Sequence, residues 1–361
     1  MIHSLEEAGL KDIYEKVVHN QRLSEEDGIK LYKTDNLPAL GYLANLVREQ
    51  KNGNKAYYIY NQHINYSNVC TNLCRFCAFG KEKEAPGSYE MSIKDIEDKI
   101  RERLDEPISE VHIVGGIHPD LPYSYYTDML KAIKNIRPDI HIQAFTCVEI
   151  AHLAKLANMS IEETLKDLTE AGLGSIPGGG AEVFSTRIRE KLCPEKLSGQ
   201  EWLEVAKTAH RLGIKSNATM LYGHIETIEE RVEHLVALRE AQDETGGFMC
   251  FIPLAFHPKN TGLEEIAPTG GIDDLKNIAV ARLMLDNFPH IKAYWVMLGP
   301  KVAQIALWYG ADDLDGTVLE EKITHMAGGD TAQAMTRPEI ERLIKAAGRE
   351  PVERDTLYNH I

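Results

Sequence analysis

The sequence predicts an α/β protein whose β/α units close into a TIM-like (β/α)8 barrel, with one helical segment before the barrel and another after it. Three observations lead to this prediction. Short apolar, β-branched runs alternate with amphipathic stretches that begin with helix-capping residues. The 361 residues are enough for a barrel of about 250 residues with extensions. No low-complexity segment or linker divides the chain.

Eight runs read as strands because they are short, apolar and rich in β-branched or aromatic residues. They are predicted at residues 57–67, 110–117, 140–146, 173–177, 214–221, 248–256, 291–298 and, more weakly, 314–318. Helices between successive runs favour parallel pairing, since parallel strands need a crossover connection. The weak eighth run leaves open a partial barrel of six units.

The helices between these strands begin with capping boxes, in which a hydroxyl residue precedes a Glu by three positions. Four such pairs are Ser160 with Glu163, Ser198 with Glu201, Thr227 with Glu230, and Thr336 with Glu339. Residues 1–55 are predicted as a helical extension, with residues 23–27 opening one of its helices. Residues 56–319 form the barrel core, residues 320–361 form a helical tail packed on it, and the whole is one structural domain.

Charge and composition exclude several classes of partner. The formal net charge of -15 opposes binding to nucleic acid or to an anionic membrane. No apolar run approaches the roughly 20 residues needed to span a bilayer, and the first residues lack a signal-peptide pattern. Cys147, Cys193 and Cys250 are isolated in sequence and indicate buried thiols in a reducing compartment. We therefore expect a soluble, cytoplasmic protein.

The most informative motif is the triplet Cys70, Cys74 and Cys77, spaced C-x3-C-x2-C. Three thiolates can ligate three irons of a 4Fe-4S cubane and leave the fourth iron open, whereas ordinary ferredoxin clusters use four thiolates. An open iron can chelate S-adenosylmethionine and pass an electron into its sulfonium bond. With the aromatic Phe76 before the last cysteine, the motif resembles the signature of the radical SAM superfamily. The alternative is a structural zinc knuckle, for which His63 is the nearest fourth ligand upstream.

Barrel active sites lie where strands end, so residues after each predicted strand are candidates. Gly115 and Gly116 follow the second strand and would let the backbone approach the methionine amino group, unless they serve a tight turn. Radical SAM proteins often carry an acidic residue next, where this chain has Ile117. His118 follows as a polar candidate.

Three consecutive glycines, 178–180, follow the fourth strand and indicate a crowded backbone approach. After them, Glu182 is a candidate acceptor for a ribose hydroxyl. The candidates for pairing with a carboxylate are Arg187, Arg189 and Lys196. Arg187 and Arg189 are two positions apart and point to different helix faces, so only one is expected to enter the site.

The fifth strand carries alternating polar side chains, among them Asn217, that are suited to line a barrel interior. Beyond it, His224 and Glu226 are candidates for proton donation or carboxylate binding, and Thr227 reads as a helix cap. After the sixth strand, His257 is a second polar candidate beside apolar residues that favour core packing.

Longer motifs make the resemblance more specific. Five segments resemble the menaquinone and deazaflavin branch of radical SAM enzymes: HINYSNVC at 63–70, GIHPDLP at 116–122, IPGGGAE at 176–182, ATMLYGHIE at 218–226 and QDETGG at 242–247. Four others resemble the aminofutalosine synthase family of the futalosine route to menaquinone: AFTCVEI at 144–150, FIPLAFHP at 251–258, AYWVMLG at 293–299 and GADDLDG at 310–316.

The resemblance implies a radical SAM barrel with a 4Fe-4S cluster, and S-adenosylmethionine consumed as co-substrate. It implies a small aromatic dicarboxylate substrate, 3-[(1-carboxyvinyl)oxy]benzoate. The 5′-deoxyadenosyl radical adds to its enol-ether double bond, the aryl group migrates from oxygen to carbon, and a carboxylate carbon is lost, giving aminofutalosine and methionine. It also implies a reducing electron donor such as flavodoxin or ferredoxin.

The cysteine motif and the positions after the predicted strands together give the candidate site residues. Cys70, Cys74 and Cys77 would hold the metal, and Phe76, Gly115, Gly116, Glu182, Arg189 and Lys196 would bind the cofactor. His118, Asn217, His224 and Glu226 would act on the substrate, with His224 as the main carboxylate partner. Two alternatives stay open. One is a related radical cyclase, either cyclic dehypoxanthine futalosine synthase-like or deazaflavin-forming, which would release free 5′-deoxyadenosine. The other is a non-enzymatic iron–sulfur or zinc protein.

Overall fold

The computed structural model describes residues 2–361 and contains a curled, parallel seven-stranded sheet. Its strands run in chain order, each paired with the next. They are β2 (Asn61–Ile64), β3 (Glu110–Ile113), β4 (His141–Ala144), β5 (Ser175–Ile176), β6 (Lys215–Tyr222), β7 (Phe248–Ala255) and β8 (His290–Ile291). This order confirms the predicted parallel β/α architecture.

A second, three-stranded sheet lies between the two edges of the first. It consists of β1 (Lys55–Ile59), flanked by β9 (Asp313–Gly316) and β10 (Glu350–Glu353). The segment 312–319 bonds to both edges of the larger sheet: Ala293 N donates to Asp313 O at 2.8 Å, and His63 N donates to Leu319 O at 2.8 Å. This segment is the predicted weak eighth strand, and its hydrogen bonds join the ends of the curled sheet.

Helices cover the outside of the barrel and form both extensions. The N-terminal helices are α1 (Ile2–Glu7), α2 (Lys11–Val18), α3 (Glu25–Lys33) and α4 (Leu37–Asn52). The barrel region contains α5 (Ile93–Arg101), α6 (Tyr123–Ile136), α7 (Cys147–Ala157), α8 (Ile161–Ala171), α9 (Thr186–Leu192), α10 (Gly199–Arg211), α11 (Ile228–Thr245), α12 (Gly271–Met284), α13 (Trp295–Leu298) and α14 (Pro300–Ala306). The tail contains α15 (Ile323–Met326) and α16 (Arg337–Ala346).

The predicted helix starts are present. The hydroxyls of Ser160, Ser198, Thr227 and Thr336 each accept a hydrogen bond from the amide three residues on, and the Glu there bonds back. Ser24 caps α3 in the same way through Asp27. Each box satisfies amides that a helix cannot bond internally, so local sequence is enough to fix where these helices begin.

Three predicted elements differ from the structure. The run 57–67 is two strands in different sheets, β1 and β2, separated at Tyr60. The run 291–298 is the end of β8 followed by α13. Residues 295, 296 and 298 of α13 are all buried, and a run buried on every side has no periodicity that separates strand from helix. The predicted helical tail also contains β10, which pairs with β1 along Lys55–Tyr58.

Among residues 2–361, no helix is both long enough and apolar enough to cross a membrane.

Candidate active site

A cavity of about 330 Å³ lies inside the barrel and opens toward the carboxyl ends of the strands. Loops that follow β2, β3, β5 and β7 line its upper part, and side chains from the strands line its lower part. We call the upper part, around the cysteine loop, the mouth, and the lower part, inside the strands, the floor. Apolar side chains between them, including Leu221, Ile252 and Leu254, form the walls.

Cys70, Cys74 and Cys77 all face the mouth of this cavity. Their loop is fixed to its neighbours by backbone hydrogen bonds: Thr71 N donates to Ile117 O and Arg75 N to Leu192 O, each at 2.9 Å. Within the loop, Leu73 adopts a left-handed φ of 40°, which is unfavourable for a residue with a Cβ. A fixed loop with a strained residue brings three thiols to one surface before any metal binds.

The donor set suits an iron–sulfur cluster. The described residues contain no group of three or more Cys, His, Asp or Glu side chains arranged to hold a single metal ion, whereas a cubane takes each thiolate on a separate iron. Burial raises the pKa of Cys74 to about 12 and raises that of Cys77, so without metal these groups are thiols and iron must displace their protons. The Gly80 amide donates to Cys77 Sγ at 3.3 Å, as a thiolate ligand requires. His63, the zinc alternative's fourth ligand, lies on the floor and stacks on His112 at 4.6 Å.

Gly115 and Gly116 line the mouth, but close approach of their own chain already accounts for both glycines. A Cβ on Gly115 would lie 2.5 Å from the Tyr66 ring, and one on Gly116 would lie 2.1 Å from Val69 O. Their amides are also used: Gly115 N donates to Glu149 Oε1 at 3.0 Å and Gly116 N to Ser67 O at 2.8 Å. The Gly115 carbonyl remains for a contact with the cofactor, whereas the Gly116 carbonyl already accepts from the Tyr66 hydroxyl at 3.4 Å.

Glu182, Lys196 and Phe76 form one corner of the mouth. Lys196 Nζ lies 2.6 Å from Glu182 Oε1 and 5.1 Å from the centre of the Phe76 ring. Burial alone would lower the pKa of Lys196, but Cys74 in its thiolate form and then Glu182 outweigh burial and raise it. A charged lysine therefore stands beside the cysteines, within the cavity wall.

Glycines 178–180 pack against neighbouring elements. A Cβ on Gly178 would lie 2.8 Å from the Ala218 backbone, and Gly180 has a φ of 82°. The Thr219 hydroxyl donates to Gly178 O at 2.7 Å. All three glycines line the cavity, and the close packing of Gly178 on β6 brings this loop to the cavity mouth.

His224 and Glu226 do not line the cavity. Both side chains are fully buried, with His224 Nδ1 2.8 Å from Glu226 Oε2. The Glu226 carboxylate also accepts from Gly223 N and pairs with Arg231. The contact with His224 first, and then Arg231 and the Gly223 amide, lower the pKa of Glu226 to about 2 although burial opposes this. Phe256, which does line the cavity, makes an edge contact with the His224 ring at 6.2 Å. The structure therefore does not bring the expected carboxylate partner to the cavity.

His118 and Arg189 also lie outside the cavity lining. His118 Nδ1 accepts from Asp120 N at 3.1 Å and from Leu121 N at 3.2 Å, which closes the turn before α6. Arg189 donates to Leu197 O at 2.6 Å and to Ala181 O at 2.8 Å, which fixes the loop that carries Glu182. These two side chains therefore stabilise loops next to the site and do not themselves line the cavity.

The remaining candidates divide between surface and cavity. Arg187 pairs with Glu230 at 2.6 Å on the surface. His257 and Asn217 line the cavity. His257 Nε2 contacts Met297 O at 3.1 Å, and Asn217 Nδ2 contacts Gln143 Oε1 at 3.5 Å. Asn217 thus occupies the interior position that its alternation along β6 predicted.

Most of the floor, which is a layer of polar side chains inside the barrel, was not predicted from the sequence. Besides Asn217, the floor contains His63, Glu110, His112, Gln143, Lys292 and Asp315. His63, His112 and Gln143 stand in register on β2, β3 and β4. The same period-two alternation that revealed Asn217 is present at Glu110 and His112 of β3, and it could have revealed them.

Two family models match the chain. Residues 64–238 match the radical SAM superfamily, and residues 245–361 match the CofH/MqnC C-terminal region. The chain resembles the solved structure of methylornithine synthase with a TM-score of 0.73 and 20% identity, covering 94% of this chain and 96% of that one. At this identity the likeness concerns the fold alone.

Curated relatives match over nearly the whole length. An aminodeoxyfutalosine synthase from Thermus thermophilus is 49% identical over 97% of this chain and 95% of its own. A second, from Streptomyces coelicolor, is 41% identical over 98% of this chain and 94% of its own. A 5-amino-6-(D-ribitylamino)uracil–L-tyrosine 4-hydroxyphenyl transferase from Methanococcoides burtonii is 41% identical over 94% of this chain and 96% of its own. The chain belongs to the radical SAM superfamily, in the family that contains the aminodeoxyfutalosine synthases, and is an enzyme that uses a 4Fe-4S cluster with S-adenosylmethionine.

Proposed function

We propose that this enzyme acts in menaquinone biosynthesis by adding the 5′-deoxyadenosyl group to 3-[(1-carboxyvinyl)oxy]benzoate. Aryl migration from oxygen to carbon and loss of a carboxylate carbon then give aminofutalosine, with methionine as the second product. The observation that carries the proposal is the 49% identity to an aminodeoxyfutalosine synthase over nearly the full length of both chains.

The cavity supports this proposal through what its own residues can do. Cys70, Cys74 and Cys77 would hold the cluster, which when bound supplies the electron that cleaves S-adenosylmethionine. Lys196, which lies 2.6 Å from Glu182, would pair with the carboxylate of S-adenosylmethionine. Glu182 would accept a hydrogen bond from its ribose. Apolar walls keep water and hydrogen donors away from a reactive radical. Asn217 on the floor would contact the substrate.

Two further assignments stay predictions. A small reducing protein such as flavodoxin or ferredoxin would supply the electron, and the cytoplasm would be the compartment. The roles expected for His118, His224, Glu226 and Arg189 are not carried into the proposed site, because none of these side chains lines the cavity.

The second candidate is the reaction of the hydroxyphenyl transferases, because one of them is as similar to this chain, at 41%, as the second synthase. A substrate panel separates the candidates. Reduced, cluster-loaded enzyme with S-adenosylmethionine is given the enol-ether benzoate, dehypoxanthine futalosine, or tyrosine with 5-amino-6-(D-ribitylamino)uracil. We expect product from the enol ether alone. Turnover of the tyrosine mixture without turnover of the enol ether would contradict the proposal.

A further inference from the structure

The floor of the cavity holds a lysine whose charge is only loosely paired. Lys292 follows β8, and its Nζ lies 3.3 Å from Asp315 Oδ1. Lys196 at the mouth is 2.6 Å from its own acid, Glu182. Charge-assisted N–H···O bonds between such groups are usually about 2.7–2.9 Å long, and an ammonium has three donors. Lys292 therefore keeps donors for a second acceptor, while its side chain is 93% shielded from solvent.

The floor also contains a buried ring nitrogen, on His63, that has no hydrogen-bond partner among the described residues. Nε2 of His63 is buried and makes no hydrogen bond to any described residue, although the ring lines the cavity. Burial, and then the charges of His112 and Lys292, lower the pKa of His63 well below its ordinary value. The ring is therefore neutral and can offer one N–H. Because an unsatisfied buried polar atom costs about 1–3 kcal/mol, a ligand atom placed here would recover that cost.

Two acids limit where an anion can bind on this floor. Asp315 and Glu110 both line the cavity, and Glu110 is contacted by the Asn61 amide at 3.4 Å. Burial would raise the pKa of Glu110, but His112, Lys292 and Arg354 outweigh burial and lower it, so this carboxylate is charged. These acids repel an anion from their own side. Burial would lower the pKa of Lys292, but Asp315 and then Asp313 outweigh burial and raise it. The groups left for an anion on this floor are the Lys292 ammonium and the His63 imidazole.

On the basis of the proposed function, we propose that Lys292 and His63 bind the ring carboxylate of the aromatic substrate. The enol-ether double bond must lie beside S-adenosylmethionine, at the mouth, for the radical to meet it. The ring carboxylate is at the opposite end of the molecule, so it points to the floor. The aromatic ring then lies against the apolar walls between Ile252 and Leu254.

This contact is tested by a design like a double-mutant cycle, in which one change is made in the substrate and the other in the enzyme. The substrates are the enol-ether benzoate and its analogue without the ring carboxylate. The enzymes are the cluster-loaded wild type and Lys292→Met. Binding is measured by calorimetry, and kcat and KM are measured for each pair. Lys301→Met is the matched control, because Lys301 is an exposed lysine on α14.

If the ring carboxylate binds at Lys292, the wild type prefers the full substrate over the analogue by roughly 30- to 1,000-fold. Lys292→Met loses most of that preference, binds both compounds alike and still cleaves S-adenosylmethionine. Lys292→Arg recovers part of the preference, and Lys301→Met behaves as the wild type.

Different outcomes overturn different claims. If the wild type turns over the full substrate but does not distinguish the analogue, or Lys292→Met retains the full preference, the contact is refuted and the proposed function stands. Should Lys292→Met fail to fold, the comparison of the full substrate with the analogue on the wild type still tests the contact without any variant. If the wild type neither binds nor turns over the full substrate, the proposed function fails and this assignment with it.

Discussion

At the scale of single residues, a polar side chain near the cavity is available to a ligand only if its own atoms are not already bound. His224 follows a barrel strand, as a functional residue would, but its Nδ1 contacts Glu226 and its side chain does not line the cavity. His63 was considered from the sequence only as a fourth zinc ligand, and yet its Nε2 is buried on the floor of the cavity with no partner among the described residues. Sequence position identifies the strand end, and the cavity lining then decides which residue can meet a ligand, because Nε2 of His224 is also buried without a partner but lies outside that lining.

Replacing Cys74 by Ala should remove the cluster and abolish cleavage of S-adenosylmethionine. The thiol at position 74 has no substitute, because the other two cluster cysteines would each hold only one iron. Cys250→Ala, at a buried thiol of β7 away from the cavity, should keep the cluster and cost about 1 kcal/mol of stability. Iron content and S-adenosylmethionine cleavage measure both effects, and normal cleavage by Cys74→Ala would contradict the metal assignment.

Replacing Gly116 by Ala should disturb the cysteine loop without touching a thiol. The added Cβ would lie 2.1 Å from Val69 O and 3.0 Å from Cys70 Cβ, so the backbone that carries Cys70 must move. We expect reduced cluster content after reconstitution, as judged by iron and sulfide analysis. Gly270→Ala is the control, because no atom lies within 4 Å of its Cβ position. Equal cluster content in the two variants would show that the cysteine loop can shift to accommodate the added Cβ and still bind the cluster, which contradicts the prediction.

At the scale of elements, local patterns fixed helix starts well and strand ends poorly. A capping box needs only two residues three positions apart, so Ser198 with Glu201 could be read directly. The break between β1 and β2 depends instead on pairing with β9 and β10, which lie some 260–290 positions later in sequence and leave no local mark. The helix at Trp295–Leu298 was read as a strand because all of its neighbourhood is apolar.

The segment 321–331, which contributes Glu321 and Thr324 to the cavity wall, should loosen as the pH rises. His325 Nδ1 contacts Glu321 Oε2 at 3.0 Å and its Nε2 contacts Thr331 O at 3.0 Å, so both ring nitrogens face acceptors. The bond to Glu321 is the main cause that raises the pKa of His325 to about 9. A raised pKa gives stabilisation that is complete below the ordinary value of about 6.5 and is lost as the pH passes through about 9.

Hydrogen exchange between pH 6.5 and pH 10, corrected for intrinsic rates, measures this loosening. Protection of 321–331 should fall relative to α11 in the wild type. In His325→Gln the protection should be low at every pH. A wild-type segment whose protection follows that of α11 throughout would contradict the role of the His325 contacts.

At the scale of the whole molecule, the C-terminal residues help to hold the curled sheet closed. Arg354, just after β10, pairs with Asp313 of β9 at 2.6 Å, and both side chains are almost completely buried. Arg354→Met leaves the buried Asp313 carboxylate without its cationic partner and should lower the free energy of unfolding by about 3–5 kcal/mol. The double variant with Asp313→Asn should regain much of that loss in denaturant titrations. An equally unstable double variant would indicate that packing, and not charge, is what Arg354 contributes.

The global architecture explains why part of the site could be predicted and part could not. The order of β/α units places every strand end at one face, so the cysteine loop, Gly115 and Lys196 were predicted to be neighbours without coordinates. The floor depends on which side chains of eight curved strands point inward at the same height. Lys292 and Asp315 meet there only because the segment 312–319 joins β8 to β2, a long-range contact that the sequence does not reveal.

The most direct test of the account is the fate of the adenosyl group. Cluster-loaded, reduced enzyme is supplied with 3-[(1-carboxyvinyl)oxy]benzoate and with S-adenosylmethionine labelled with carbon-13 at the 5′ carbon of its ribose, and the products are resolved by mass spectrometry. The account predicts that the label enters a nucleoside joined to the aryl ketone, in proportion to the methionine released. Label recovered only as free 5′-deoxyadenosine, with the benzoate unchanged or merely stripped of hydrogen, would contradict it.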